Sequence, residues 1–186
     1  QRFSFPVNAP TKWVSFDADK MLLCEKEDHR SDAFNLSQLG KSELLLDRLE
    51  ALDQLYSTSN VNLRSTIAGI AMKDGFWAMR IRGLDMVSHL DESGRKKVLR
   101  DVLKMAEKDP HFSVRARAID VLNRQYNQNE SEIYAAAWRA KSYELNSAAL
   151  VAISRYDPET GLKRARTVLE TDNVDMLDAA YESIAN

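Results

Sequence analysis

Residues 114–122 read Val114-Arg-Ala-Arg-Ala-Ile-Asp-Val-Leu122, and related segments recur along the chain at intervals of 31 to 35 residues. Each copy has a small residue at its fifth position and an apolar residue four positions later. An interval of this size accommodates two helices of about a dozen residues and two short turns. The segment therefore predicts an array of helix pairs. The five copies, called repeat segments 1 to 5, are 47–55, 79–87, 114–122, 145–153 and 176–184.

The small and apolar positions predict how the pairs pack. Small side chains at a fixed position allow helix axes to approach closely, and an apolar residue one turn later fills the space between neighbouring pairs. The small residues are Ala51, Gly83, Ala118, Ala149 and Ala180, and the apolar residues are Leu55, Val87, Leu122, Ile153 and Ile184.

Arginine occupies the second position of the first three segments, as Arg48, Arg80 and Arg115. Asp74 and Asp109 each lie six residues before one of these arginines. This spacing predicts a ladder of ion pairs between adjacent repeats. A cationic stripe for a ligand is the weaker interpretation, because Asn146 and Leu177 replace the arginine in segments 4 and 5.

The chain divides into two regions with different periods. Apolar residues follow the helical period from about Asn35 onward, which predicts a helical repeat domain over 35–186 and about nine helices. Residues 1–30 instead alternate with period two and predict short strands, with a turn at 17–20 and a return strand over 21–24. The predicted fold is mainly α, an α-α superhelix or solenoid with a short N-terminal β segment that ends a preceding β domain.

Composition excludes several classes of protein. Lys and Arg number 26 against 28 Asp and Glu, a net charge of −2, which argues against a nucleic-acid-binding protein. No apolar run is long enough to cross a bilayer. Only Cys24 is present, which excludes an intramolecular disulfide, and we interpret it as a small hydrophobic residue. Six glycines and four prolines leave little room for many hairpins.

Two stretches of sequence resemble a known family. Asp109-Pro110 followed by Val114-Arg115, Ala118 and Leu122 resembles the HEAT-repeat signature, as found in HEAT- and armadillo-like solenoids. Residues 10–17, Pro-Thr-Lys-Trp-Val-Ser-Phe-Asp, followed by Leu22-Leu23 and Gln38-Leu39, resemble a junction in bacterial aminopeptidase N-type zinc metallopeptidases of the gluzincin family. In that family the end of a β-sandwich leads into a C-terminal HEAT-like helical domain. Gln1 at the start also suggests a piece of a larger protein.

The catalytic signature of that family is not in this chain. Its zinc site uses H-E-x-x-H, and no two of His29, His89 and His111 are three to five residues apart. G-x-S-x-G and glycine-rich phosphate loops are missing as well. We therefore expect no catalytic residue, no cofactor and no metal ligand in this chain, whereas the resemblance implies zinc in the catalytic domain of a parent metalloaminopeptidase.

Three aromatic or basic sets are candidates for a binding surface: Phe76, Trp77, Arg80 and Arg82; Trp138, Arg139 and Lys141; and Arg95, Lys96, Lys97, Arg100 and Lys104. Aromatic rings beside arginines can clamp a peptide or a nucleobase. The interpretation that we favour is structural: the aromatic residues lock neighbouring units together, and the basic run is a solvated helix face.

The leading functional hypothesis is a non-catalytic C-terminal domain of a zinc aminopeptidase-like protein. The resemblance implies that it packs on the catalytic domain of its own parent chain and shapes the access of peptide substrate. The alternative is a free-standing HEAT-like scaffold for a protein partner, against which the N-terminal strands argue. A HEAT-like nucleic-acid repair enzyme is disfavoured by the net charge. The resemblance allows a periplasmic, secreted or cytoplasmic location in a bacterium.

Overall fold

A computed structural model of the chain describes residues 29–170 and 172–185, together with the single positions 4, 6, 8, 10, 14, 17, 21 and 22. This part of the chain is mainly helical. Its ten α-helices are α1 Asp32–Lys41, α2 Leu45–Tyr56, α3 Val61–Ala71, α4 Trp77–Asp85, α5 Glu92–Lys108, α6 Phe112–Val121, α7 Ser131–Trp138, α8 Tyr143–Tyr156, α9 Pro158–Val168 and α10 Val174–Ala185. A 3-10 helix, Met86–His89, continues α4, and a π-helix, Leu122–Tyr126, continues α6.

Short polar side chains begin many of these helices. The N-cap side chains of Ser31, Asn60, Asp91, Ser142 and Asp157 each accept a hydrogen bond from a backbone N–H of the first turn. Such caps satisfy N–H groups that have no partner within the helix. Helix α5 begins at Glu92, so Ser93-Gly94 lies within its first turn. Gly94 is accommodated in the first turn because its N–H donates to Asp91 Oδ1 at 2.7 Å.

The repeat segments lie on the even-numbered helices α2, α4, α6, α8 and α10. The predicted small residues are buried there, and Ala118, Ala149 and Ala180 are fully so. Gly83 permits a close approach of the backbone: a Cβ added to it would lie 2.6 Å from the backbone nitrogen of Met72. The prediction that small residues allow close packing is therefore confirmed for α4 against the end of α3.

Ile184 is the exception among the predicted apolar positions, because it is 46% exposed, whereas Leu55, Val87 and Leu122 are fully buried. Its helix, α10, is the last described helix and packs on α8 and α9. The outward side of α10 therefore has no further described helix to cover it.

Helix contacts follow a repeating order in the described part of the chain. Within each of the pairs α1–α2, α3–α4, α5–α6, α7–α8 and α9–α10 the helices contact one another, and α6 also contacts α4 and α8, while α8 contacts α10. One large hydrophobic core runs from Leu39 in α1 to Ile153 in α8. A smaller core joins Leu150 of α8 to α9 and α10, with Trp138 and Val151 packed against it.

The predicted β segment falls mostly on residues outside the described part of the chain, as does Cys24. Asp17 is described: its backbone is left-handed, with φ of 51°, and its carboxylate accepts hydrogen bonds from the N–H groups of Met21 and Leu22. The first helix begins at Asp32, slightly before the predicted start of the helical period. Among the described helices, none combines the length and the apolar character that a membrane span requires.

Candidate binding groove

The aromatic set at the start of α4 joins two neighbouring units. The Trp77 ring stacks on His111, the N-cap residue of α6, with centroids 4.5 Å apart and planes 8° apart. Phe76 contacts Trp77 at 5.7 Å between centroids. Each of these two aromatic side chains remains 39% exposed. The ring stack links the unit of α4 to that of α6, as the structural interpretation of these residues predicts.

The second aromatic set contacts α9. Trp138 ends α7, is half-buried, and lies beneath the guanidinium of Arg164, whose carbon is 5.1 Å from the ring centroid. Arg139 and Lys141 are exposed beside it. Trp138 therefore serves a packing contact, and the structure shows no clamp that joins it to Phe76 and Trp77 among the described contacts.

Arg48 and Arg80 form the predicted ladder of ion pairs, called here the first ladder. Arg48 donates to both carboxylate oxygens of Asp74 at 2.7 and 3.1 Å, and Arg80 does the same to Asp109 at 2.8 Å each. Each guanidinium also donates to two backbone carbonyls in the turn before its own helix. A planar guanidinium suits this role because it offers five donors in a fixed geometry.

The first ladder ends at α6. Arg115 donates to the carbonyl of Ala106 at 3.3 Å, and no acidic partner is found for it in the described structure. The position corresponding to Asp74 and Asp109 in the next unit, six residues before Asn146, is Ala140. Asn146 still donates to three carbonyls, those of Ala137 and Trp138 at the end of α7 and that of Ala140 in the turn after it. The prediction of an ion pair for Arg115 is therefore wrong, because the next unit has no carboxylate there.

A second ladder, which was not predicted from the sequence, uses the fourth and seventh positions of the repeat segments. Arg82 pairs with Asp53 at 2.6 Å, and Arg117 pairs with Asp85 at 2.6 Å. Each arginine thus contacts the aspartate of the preceding segment, whereas in the first ladder each arginine contacts the following unit. These pairs are more exposed than those of the first ladder: the Arg82 and Asp53 side chains are 44% and 53% exposed.

The basic face of α5 stays a solvated surface. Lys96 pairs with Glu92 one turn earlier at 2.6 Å, and this hydrogen bond lowers the pKa of the exposed Glu92 carboxyl. Asp101, within the same helix, pairs with Lys73 at 3.0 Å. Lys97, Arg100 and Lys104 are exposed.

Where the second ladder ends, an open groove of about 520 Å³ lies between α6, α8 and α10. In segment 4 the fourth and seventh positions are Ala148 and Val151 instead of arginine and aspartate. These two short apolar side chains line the groove together with Ala116 and Ala179, and the other lining residues are polar or charged. The groove is lined by Ala116, Arg117, Asp120, Asn123, Arg124, Glu144, Ser147, Ala148, Val151, Asp175, Asp178, Ala179 and Glu182.

The charges around the groove are unbalanced. Five carboxylates and two guanidinium groups line it, a surplus of three negative charges. Both arginines are engaged: Arg117 bridges Asp85 and Asp120 at 2.6 Å each, and Arg124 pairs with Asp120 and Glu182. The Asp120 pair raises the pKa of the Arg124 guanidinium. Asp175 and Asp178 are exposed on α10 and have no partner in the described structure.

One buried polar group in this groove lacks a partner. Asn123 lies in the π-helix after α6 and is only 3% exposed, yet no hydrogen bond reaches its Oδ1 in the described structure. A buried acceptor without a donor is costly unless a ligand or water supplies one. A π-helix within an α-helical stretch is often found at functional sites.

The groove is suited to binding and shows no catalytic arrangement among its lining residues. Ser113 Oγ donates to Glu144 at 2.6 Å, but no histidine lines the groove. Elsewhere Tyr56 Oη and His89 Nε2 are 2.9 Å apart without a nucleophile in contact. The described residues include no group of three or more His, Cys, Asp or Glu side chains that could hold a metal ion.

The groove residues were not predicted from the sequence, although a signal for them exists. At the fourth position of the repeat segments, Arg82 and Arg117 correspond to Ala148 in segment 4. At the seventh position, Asp85 and Asp120 correspond to Val151. A sudden change from paired charges to short apolar side chains marks the place where one unit no longer fills the space beside its neighbour.

Comparison with protein-family models finds no match, and comparisons with curated proteins and with solved structures find no significant match either.

Proposed function

We propose that this chain is a non-catalytic helical-repeat domain with the HEAT-like solenoid arrangement, and that it belongs to a zinc aminopeptidase-like protein. In that role it packs on a catalytic domain of its own parent chain and shapes the path of peptide substrate. The observation that carries the proposal is the recurrence of one inter-unit ion pair, Arg48–Asp74 and Arg80–Asp109, at the spacing of the repeat. Such a bidentate pair fixes the orientation of adjacent units, as a wall around a chamber requires.

The resemblance of residues 10–17, Leu22-Leu23 and Gln38-Leu39 to the aminopeptidase junction supplies the link to peptide chemistry. The chain itself lacks H-E-x-x-H, so a zinc site would belong to another part of the parent. An open acidic groove beside the last helices is compatible with a surface that peptides pass.

The reading frame before Gln1 tests the proposal. We expect it to encode H-E-x-x-H with a later glutamate; a start codon directly before Gln1 would contradict a parent peptidase. The purified chain should hold no stoichiometric zinc and cleave no aminoacyl fluorogenic substrate. Stoichiometric zinc in the chain, by metal analysis, would overturn the proposal.

A free-standing HEAT-like scaffold is the second candidate, and the groove between α6, α8 and α10 favours it. Its lining combines four short apolar side chains with a surplus of carboxylates, and α10 leaves Tyr181 and Ile184 exposed at 62% and 46%. Exposed aromatic and aliphatic side chains on one helix are typical of protein interaction surfaces. The same reading frame separates the two candidates, since a scaffold needs no upstream peptidase domain.

A further inference from the structure

We propose that the outer side of the last helix pair, α9 and α10, binds a second copy of this chain in a two-fold symmetric dimer. This surface, called the end face, carries six apolar side chains: Leu162, Leu169, Val174, Leu177, Tyr181 and Ile184. Five of them are between 37% and 67% exposed, and Leu177 is half-buried. The inference does not depend on the peptidase proposal, because it concerns only the surface of α9 and α10.

The end face occupies repeat positions that are buried in the earlier units. Tyr181 is the sixth residue of segment 5, and the sixth residues of segments 1 to 4 are at most 1% exposed: Leu52, Leu84, Ile119 and Leu150. In α8, Leu150 is covered by the next unit, because it lies in the small core with Ala165 and Ala180. Terminal repeats of a stable array have a polar outer face. An apolar outer face at these positions therefore indicates a surface that packs against another polypeptide.

Contacts with the preceding unit establish which side of α9 faces outward. The guanidinium of Arg164 lies over Trp138 of the preceding unit. Leu162 and Leu169 lie roughly 140–160° around the helix from Arg164, because successive residues are about 100° apart. These two leucines therefore point away from the preceding unit.

The same reasoning applies to α10. Met176 accepts a hydrogen bond from Ser147 of α8 at 3.2 Å, which places it on the side of the preceding unit. Tyr181 lies roughly 140° around the helix from Met176, and Leu177 and Ile184 lie beside Tyr181, one turn before and one turn after it. The apolar residues of α9 and α10 thus share the outward side of the pair.

Charged residues at the edges of the end face favour a second copy as the occupant. Lys163 and Arg166 lie at the middle of the outer edge of α9, between Glu159 and Glu170 near its ends. Asp178 borders the apolar residues of α10 at the opposite edge, which lines the groove. Arg166 and Asp178 are exposed, and neither has an ion pair among the described residues. A face with an apolar centre and opposite charges at its two edges can complement itself.

A two-fold axis parallel to the helices brings these opposite charges together. It places α9 of one copy on α10 of the other, with the apolar residues in the centre. Residues 169–173 form the turn that joins α9 to α10, and Arg166 and Asp178 both lie near this turn. Arg166 of each copy therefore faces Asp178 of the other. An axis perpendicular to the helices would instead place α9 on α9 and separate these cations from the carboxylates.

Sedimentation equilibrium of the full chain tests the dimer. Over about 1 to 500 µM protein, we expect the average mass to rise from that of one chain towards that of two and to stop there, because a two-fold interface closes on itself. A single-chain mass at up to about 1 mM would overturn the proposal. Growth beyond two chains would also overturn it, because units that stack head to tail do not close.

A matched pair of tyrosines locates the interface. Tyr181→Glu places a carboxylate in the centre of the end face and should weaken dimerisation by about tenfold or more. Tyr143→Glu makes the same change outside the end face, at a tyrosine of nearly equal exposure (61% against 62%), and should weaken it by less than about twofold. Equal losses in the two variants would refute the end face as the interface. If Tyr181→Glu does not fold, as judged by circular dichroism, Tyr181→Ser and Tyr143→Ser replace the pair with the same expected directions.

Charge reversal tests how the two copies are arranged. Arg166→Asp and Asp178→Arg each oppose like charges across the interface and should each weaken dimerisation by about fivefold or more. An equimolar mixture of the two variants pairs opposite charges at both contacts, so dimerisation should recover to within about twofold of the parent. Unchanged dimerisation of the single variants, or no recovery in the mixture, would refute the contact of α9 with α10 of the second copy.

Discussion

At the scale of single residues, burial separates ion pairs that have nearly the same length. The Arg80 and Asp109 side chains are 12% and 5% exposed, whereas those of Arg82 and Asp53 are 44% and 53% exposed. Water screens the second pair, so its net contribution is small. Removing one partner of the first pair leaves a charge in a site from which water is largely excluded.

Arg80→Ala should therefore lower the free energy of unfolding by about 2–4 kcal/mol, and Arg82→Ala by no more than about 1 kcal/mol. Urea denaturation followed by circular dichroism measures both. Asp109 keeps one hydrogen bond, from the N–H of His111, in the first variant. Similar costs for the two variants would show that the buried ladder has no special role in stability.

Two tyrosines make stability sensitive to alkaline pH. Burial raises the pKa of Tyr126 and of Tyr134 to about 12, and each hydroxyl donates to a backbone carbonyl, of Arg95 and Gln128 respectively. In the unfolded chain a tyrosine ionises near pH 10. Because ionisation is easier in the unfolded state, the stabilisation is complete below about pH 10 and is lost as the pH rises towards 12.

The slope of unfolding free energy against pH, measured between pH 9 and 12, checks this expectation. Tyr134→Phe should make the slope shallower, since one buried titrating hydroxyl is removed. Tyr143→Phe, at a site that is 61% exposed, is the matched control and should leave the slope close to that of the parent. A Tyr134→Phe slope equal to that of the parent would contradict the assignment.

Sequence spacing was sufficient for the first ladder but not for the groove. Arg48, Arg80 and their aspartates can be found because each lies at a fixed distance from the repeat. The groove exists because segment 4 lacks the arginine and the aspartate of the second ladder, and the short side chains of Ala148 and Val151 leave space between α6 and α10. Asn123 lies in the π-helix, and no pattern in the sequence predicts that its buried Oδ1 lacks a hydrogen bond.

At the scale of elements, α1 shows why the hydrophobic period alone misses a helix. Its buried residues are Asn35, Gln38 and Leu39, so its inner face is mostly polar. Gln38 donates to the carbonyl of Asp47 at 2.9 Å and accepts from Arg30. In α1, hydrogen bonds thus hold the inner face in place of the apolar contacts made by the other helices. The sequence predicts about nine helices, whereas the described part of the chain has ten, because α1 lacks the apolar pattern.

Two glycines of adjacent helices should respond oppositely to the same substitution. A Cβ on Gly83 of α4 would lie 2.6 Å from the Met72 backbone nitrogen, whereas a Cβ on Gly69 of α3 would meet nothing within 4 Å. Gly83→Ala should destabilise the protein by about 1–3 kcal/mol through overpacking. Gly69→Ala should stabilise it by about 0.5–1 kcal/mol because alanine favours the helix. Thermal unfolding measures both, and a neutral Gly83→Ala would argue against the close approach.

At the scale of the whole molecule, the two hydrophobic cores predict uneven stability. The large core spans α1 to α8, while α9 and α10 attach to α8 through the small core around Leu150, Ala165 and Ala180. Arrays of repeats unfold from their least stabilised end. We expect amide hydrogen exchange in α10 to be faster than in α6 by at least about tenfold under native conditions. Equal protection of the two helices would show a single cooperative unit.

The order of helix pairs could be predicted from the repeat, whereas the N-terminal region shows the limit of periodicity. Alternating residues such as Phe3 and Phe5 indicate strands, but a short strand is determined by its pairing partners, which lie elsewhere in the fold. The strand prediction for 1–30 therefore stays a prediction. A helical repeat is easier to identify because its main contacts are local and recur with the period of the sequence.

The two ladders also determine which units are interchangeable. The unit formed by α3 and α4 offers Arg80 to Asp109 of the unit after it and Arg82 to Asp53 of the unit before it, so a duplicated copy would find both partners already in place. The array could thus lengthen by duplication within its first half. Beyond α6 the matching residues are lost, so a duplicate inserted there would have no ion pairs to set its register.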